Sequence, residues 1–161
     1  MSRSSEWKHP FDDIEERIQS ALRSRQLRRD YDEWLSQIWW RWVLTLTWRP
    51  GMGVKRAKGL FAEVIEMYER RGVPISFLRV VEEGELGKKH FHVLLSGPSY
   101  EIFELEEWWL KRAGICKIQR FAPTENGVSY YVKSVDCSPD SDYDIDPQIA
   151  ECHRRSYLAQ F

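Results

Sequence analysis

Residues 75–95 read ISFLRVVEEGELGKKHFHVLL. Two β-rich runs, Ile75 to Glu82 and Lys89 to Leu95, are separated by a short stretch holding Gly84 and Gly87, so the segment reads as a β-hairpin. Alternate residues of a strand share a face, which sets the imidazoles of His90 and His92 side by side. With the hairpin centred near Leu86, directly opposed residue numbers sum to an even constant. Glu82 then stands against His90 and Val80 against His92, with about 5 Å between cross-strand partners on one face. Glu83 alternates to the other face; a bulge in the hairpin would exchange the two glutamates. Two imidazoles and a carboxylate converging in this way form a candidate site for one divalent ion. His9 and His153 have no such setting and are not expected to be ligands.

Upstream, WVLTLTW (Trp42 to Trp48) is a strand of β-branched and aromatic residues. Leu44 and Leu46 point to one face, Thr45 and Thr47 to the other. Arg49-Pro50-Gly51 ends it. Val54 to Arg71 is a helix with an apolar stripe at Leu60, Val64 and Met67 or Tyr68, stopped by Gly72. Downstream, Pro98 and Ser99 introduce a helix from about Tyr100 to Arg112, ended by Gly114. Ile115 to Phe121 is a fourth strand, and a turn at Pro123 to Gly127 leads into a short helix ending near Val135. The order β-α-β-β-α-β-α predicts an α+β fold of ferredoxin-like (RRM-like) split βαβ type: an antiparallel sheet with helices over one face, the other face open for a site.

An extra N-terminal helical segment spans Phe11 to Ile38, as one bent helix or two, with Ile14, Ile18, Ala21 and Leu22 and then Tyr31, Trp34, Leu35 and Ile38 at helical spacing. It is read as a packing element. The expected organisation is a helical extension at 1–41, a core at 42–136 and an acidic, flexible tail at 137–161, whose text SPDSDYDIDPQ is poor in apolar residues.

The net charge of −1 is unevenly spread. Residues 41–135 carry 15 basic and 11 acidic side chains, whereas residues 136–161 carry 2 basic and 6 acidic. A middle of +4 is too modest to argue for nucleic acid by itself. No apolar run approaches the ~20 residues needed to span a bilayer. The N-terminal stretch has no apolar core of a secretory signal, so an intracellular, cytoplasmic setting with no membrane partner is expected. Cys116, Cys137 and Cys152 are odd in number, widely spaced and without a CxxC pair, which suits reduced thiols and not a thiolate zinc site.

One further motif is Ser129-Tyr130-Tyr131-Val132-Lys133. In a helix, Tyr130 and Lys133 share a face. A phenol becomes a useful nucleophile when its electrophile is a metal-polarised phosphodiester and a cation sits near the developing charge. Taken in order, WVLTLT, then RVVEEGELGKKHFHVLL, then YYVK resembles the HUH endonucleases, and specifically their rolling-circle replication initiators. That class is similar in its threonine-alternating strand, its His-x-His strand and its helix with a tyrosine three residues before a lysine. The resemblance covers roughly Trp42 to Val135. Glu82, eight residues before His90, suits the phage- and plasmid-type initiators. The spacing to Lys133 selects Tyr130, with Tyr131 the adjacent alternative. With one tyrosine motif, a two-tyrosine exchange within one subunit is not expected. The tyrosine follows the histidines, unlike in conjugative relaxases, and the text contains no Walker-type GxxxxGK[ST].

The resemblance implies Mg²⁺ or Mn²⁺ on Glu82, His90 and His92, with Tyr130 as nucleophile and Lys133 stabilising charge. The implied reaction is site-specific nicking of single-stranded DNA through a 5′-phosphotyrosine that starts rolling-circle replication. Single-stranded origin DNA is the implied partner, with a host replication helicase or polymerase beside it. Thr45, Thr47, Arg49, Lys55, Arg56 and Lys58 are the candidate DNA contacts, the basic ones because they follow the threonine strand and flank its turn. Asp140, Asp142, Asp144 and Asp146 repeat at every second residue and are expected to compete with DNA for that basic surface. Two rival readings are a single-tyrosine transposase of the same superfamily and a non-catalytic single-strand-binding module whose sheet stacks bases on Trp and Phe.

Overall fold

The computed structural model describes residues 10–122, 128 and 142–146. Its elements are α1 (Pro10–Leu35), β1 (Trp42–Leu46), α2 (Val54–Arg70), β2 (Ser76–Glu83), β3 (Lys89–Ser96), a 3₁₀ turn (Tyr100–Phe103) running into α3 (Glu104–Arg112), β4 (Cys116–Arg120) and β5 (Tyr143–Ile145). The strands form one antiparallel sheet in the order β4-β1-β3-β2-β5, the α+β class the sequence predicts.

One face follows the alternation of β1. Trp42, Leu44 and Leu46 point with Phe77, Phe91, Val93 and Leu95 into a core closed by Ala57, Leu60, Phe61 and Val64 of α2 and Leu105 and Trp109 of α3. Trp109 donates its indole N–H to the Thr47 carbonyl (2.8 Å), so α3 also fastens the end of β1.

The opposite face is not open along its whole length, which corrects the expectation of helices on one side only. Val43, Leu78, Val80 and Leu94 form a second core with Leu35 and Trp40, flanked by Leu27, Tyr31 and Trp34 of α1. The physical reason lies at Val93-Leu94-Leu95. A continuous apolar run in a strand requires cover on both faces, and α1 supplies the second cover. α1 is a single helix that ends at Leu35, where the Trp40 indole donates to the Leu35 carbonyl (2.8 Å).

The acidic segment contributes a strand. Tyr143 and Ile145 of β5 pair with Val80 and Leu78 and join the second core, while Asp144 between them faces Arg79 on the other side. Three residues of tail-like composition therefore extend the sheet, because their alternation, apolar-acidic-apolar, matches the edge they meet. The predicted helix after β4, with Tyr130, Tyr131 and Lys133, lies outside the described residues, as do His9 and His153.

Candidate metal centre

Strand register decides the site. β2 and β3 pair with Glu82 against His90 and Val80 against His92, the pairing the parity argument requires, and the hairpin closes without a bulge that would promote Glu83. β3 also pairs with β1, which sets Thr45 against His92, and β1 with β4, which sets Lys117 against Thr45. Across one face runs a row Tyr143–Val80–His92–Thr45–Lys117, with Glu82 and His90 in the row beside it. The next row the other way, Ile145–Leu78–Leu94–Val43–Gln119, is largely apolar, and it includes residues of the second core that α1 closes. The polar cluster begins where that core ends.

The three donor side chains meet closely. His90 Nε2 and His92 Nε2 are 3.1 Å apart, His92 Nε2 is 3.2 Å from Glu82 Oε2, and His90 Nε2 is 3.9 Å from the same oxygen. The side chains are largely shielded, at 20%, 15% and 14% exposure for His90, His92 and Glu82. An ion that bonds N and O donors at about 2.1 Å along perpendicular directions holds them about 3.0 Å apart. Two of the three separations already match that value, so the donor set fits a divalent ion. Among the described residues this is the one group of three or more such side chains close enough to share an ion. Its mixed nitrogen and oxygen chemistry suits Mn²⁺ somewhat better than Mg²⁺.

The other sequence-predicted contacts fall into two groups. Thr45 stands beside the cluster. The Thr47 hydroxyl instead ties β1 to the start of β4, accepting from Ile115 N–H (3.2 Å) and donating to its carbonyl (3.3 Å). The basic residues lie elsewhere. Arg49 donates to the Leu110 carbonyl (2.6 Å) near the end of α3. Lys55 and Arg56 are exposed on α2, which packs on the sheet face opposite the metal cluster. Lys58 is held by both carboxylate oxygens of Asp142 (2.6 and 2.8 Å). Lys117 was not singled out in the sequence. It joins the site row through the β1–β4 pairing, which no local pattern announces.

A family model for the replication-associated protein ORF2 group matches residues 41–137. The chain belongs to that family. The match runs from the residue before β1 past β4, and so holds the metal cluster and the tyrosine motif but neither α1 nor β5. No curated protein and no solved structure matched the chain. Membership in this replication-associated family links the protein to replication, and hence to nucleic acid.

Proposed function

We propose that this member of the replication-associated ORF2 family nicks single-stranded DNA with Tyr130 and thereby initiates rolling-circle replication. The observation that carries the reading is the convergence of Glu82, His90 and His92 on one sheet face, within the segment matched by a replication-associated family. A divalent ion held there supplies Lewis-acid polarisation of the scissile phosphate. The protein's own groups do the rest. Glu82 and the two imidazoles orient the site, and Thr45 and Lys117 continue its row toward a bound phosphate backbone. The Tyr130 oxygen bonds to phosphorus as its phenolic proton leaves. The P–O3′ bond breaks, and the departing oxygen takes up a proton as a free 3′-hydroxyl. The 5′ end stays on the protein as a phosphotyrosine, so the bond energy is kept for rejoining, and the 3′-hydroxyl primes synthesis. Lys133 offsets charge developing at the phosphate.

The test is incubation with single-stranded origin DNA and Mn²⁺, followed by denaturing electrophoresis. A protein–DNA adduct is expected for the parent and for Tyr131→Phe, and none for Tyr130→Phe, which still binds DNA and metal. A reversed result makes Tyr131 the nucleophile. Cleavage by both variants at the parent rate means water attacks, and the tyrosine mechanism is wrong.

A further inference from the structure

At the end of the sheet away from the metal cluster, a groove of ≈340 Å³ opens beside the start of β1. Its walls include Trp39 and Tyr100, which are 86% and 80% exposed. Tryptophan is highly buried on average, so a nearly bare indole beside a nearly bare phenol calls for a ligand. Two exposed guanidiniums, Arg41 and Arg120, line the same groove. The floor is Trp42, whose indole donates to the Pro98 carbonyl (2.7 Å) and whose ring lies 5.9 Å from the Arg120 guanidinium carbon. Arg41 is set by its own backbone, which donates to the Leu95 carbonyl and accepts from Phe121 N–H, and it donates from Nη1 to Ser99 Oγ (2.5 Å). Among the described residues, no carboxylate and no aliphatic side chain lines the groove.

We propose that this groove is a second nucleic-acid subsite, which stacks unpaired bases of a single DNA strand on Trp39 and Tyr100 and holds the flanking phosphates with Arg41 and Arg120. Flat aromatic faces bind any unstacked base, whereas duplex bases keep their faces covered. The guanidiniums complement the backbone charge. A protein partner is disfavoured because its anchors usually also find aliphatic walls, and here every described lining side chain is aromatic, arginine or serine. β1 joins the two sites: Trp42 borders the groove and Thr45 borders the metal cluster, three residues or about 10 Å along the strand. One DNA strand crossing the sheet would be gripped at the groove while its scissile phosphate lies at the cluster. The inference rests on the nucleic-acid role proposed above but not on the tyrosine chemistry.

The experiment uses the full chain, a fluorescein-labelled 20-nucleotide oligo(dT) and excess EDTA, so that the metal cluster takes no part. Trp39→Ala and Tyr100→Ala are each expected to weaken binding by roughly 5- to 100-fold, the range of one lost base–aromatic stack. Trp39→Phe retains most of the affinity, and the melting temperature is unchanged. Arg41→Ala and Arg120→Ala each reduce the slope of log affinity against log salt by about 0.7. Parent-like oligo(dT) affinity in both aromatic variants overturns the proposal. So does a loss of self-association in Trp39→Ala with DNA affinity intact, which would make the groove a protein contact. Trp39-dependent binding by a parent that forms no Mn²⁺-dependent adduct keeps the groove and defeats the tyrosine reading. Adduct formation with no dependence of binding on Trp39 or Tyr100 does the reverse.

Discussion

Glu82→Gln removes a charge and almost nothing else, which makes it the sharpest probe of the metal cluster. The donor atoms stand 3.1, 3.2 and 3.9 Å apart. Against the ~3.0 Å of a perpendicular pair around an ion, only the His90–Glu82 contact has to close, by about 0.9 Å, within reach of side-chain torsions. Little of the binding energy is then spent on rearranging backbone, and it appears as added stability of the fold. At an ion concentration 100 times its Kd, linkage adds about 2.7 kcal/mol. For a domain of this length each kcal/mol moves the melting temperature by roughly 2–4 °C, so Mn²⁺ should raise it by about 5–11 °C. In Glu82→Gln a neutral amide replaces the only anionic donor of the cluster. If affinity falls 100-fold, the same Mn²⁺ concentration equals the new Kd, and the gain drops to about 0.4 kcal/mol, or 1–2 °C. Circular-dichroism melts with Mn²⁺ and with EDTA measure the difference within each protein, so any effect of the substitution on the metal-free fold cancels. A parent with no Mn²⁺ shift, or a Glu82→Gln variant with the parental shift, refutes the assignment. Glu83→Gln is the matched control, because Glu83 pairs with Lys89 on the opposite parity and should leave the shift intact.

Two other consequences are open to measurement. Asp142→Asn should free Lys58, whose ammonium it now holds at 2.6 Å, and steepen the dependence of log single-strand affinity on log salt by about 0.7; an unchanged slope means Lys58 meets no phosphate. The pair is more than a third exposed, so melting should shift little. Burial, with a smaller contribution from Glu106, pushes the Cys116 thiol up to about 12, so at pH 8 it stays protonated. Iodoacetamide at that pH should spare Cys116 in the native protein and modify it in urea, as read by peptide mass; rapid native labelling would contradict its burial.

The sequence by itself determined the parts that depend on neighbours along the chain. The hairpin register follows from two glycines and a parity count, and it placed Glu82, His90 and His92 on one face because the side-chain period of a strand is two. β1, α2, α3 and β4 were legible from periodicity to within a residue or so, apart from the 3₁₀ turn at Tyr100–Phe103 that opens the helix into α3. Tertiary structure alone decided which strands are neighbours. The order β4-β1-β3-β2-β5 puts Thr45 beside His92 and Lys117 beside Thr45, pairings between residues 47 and 72 positions apart. It also sends α1 to the second sheet face and draws β5 out of an acidic segment. In both cases the deciding quantity is apolar surface presented by other elements: Leu78, Val80 and Leu94 need cover, and Leu35, Trp40, Tyr143 and Ile145 supply it. The same distance from local pattern hid the groove at Trp39, since its walls come from residues 39–42, 99–100 and 120–121 and meet only when the sheet has formed.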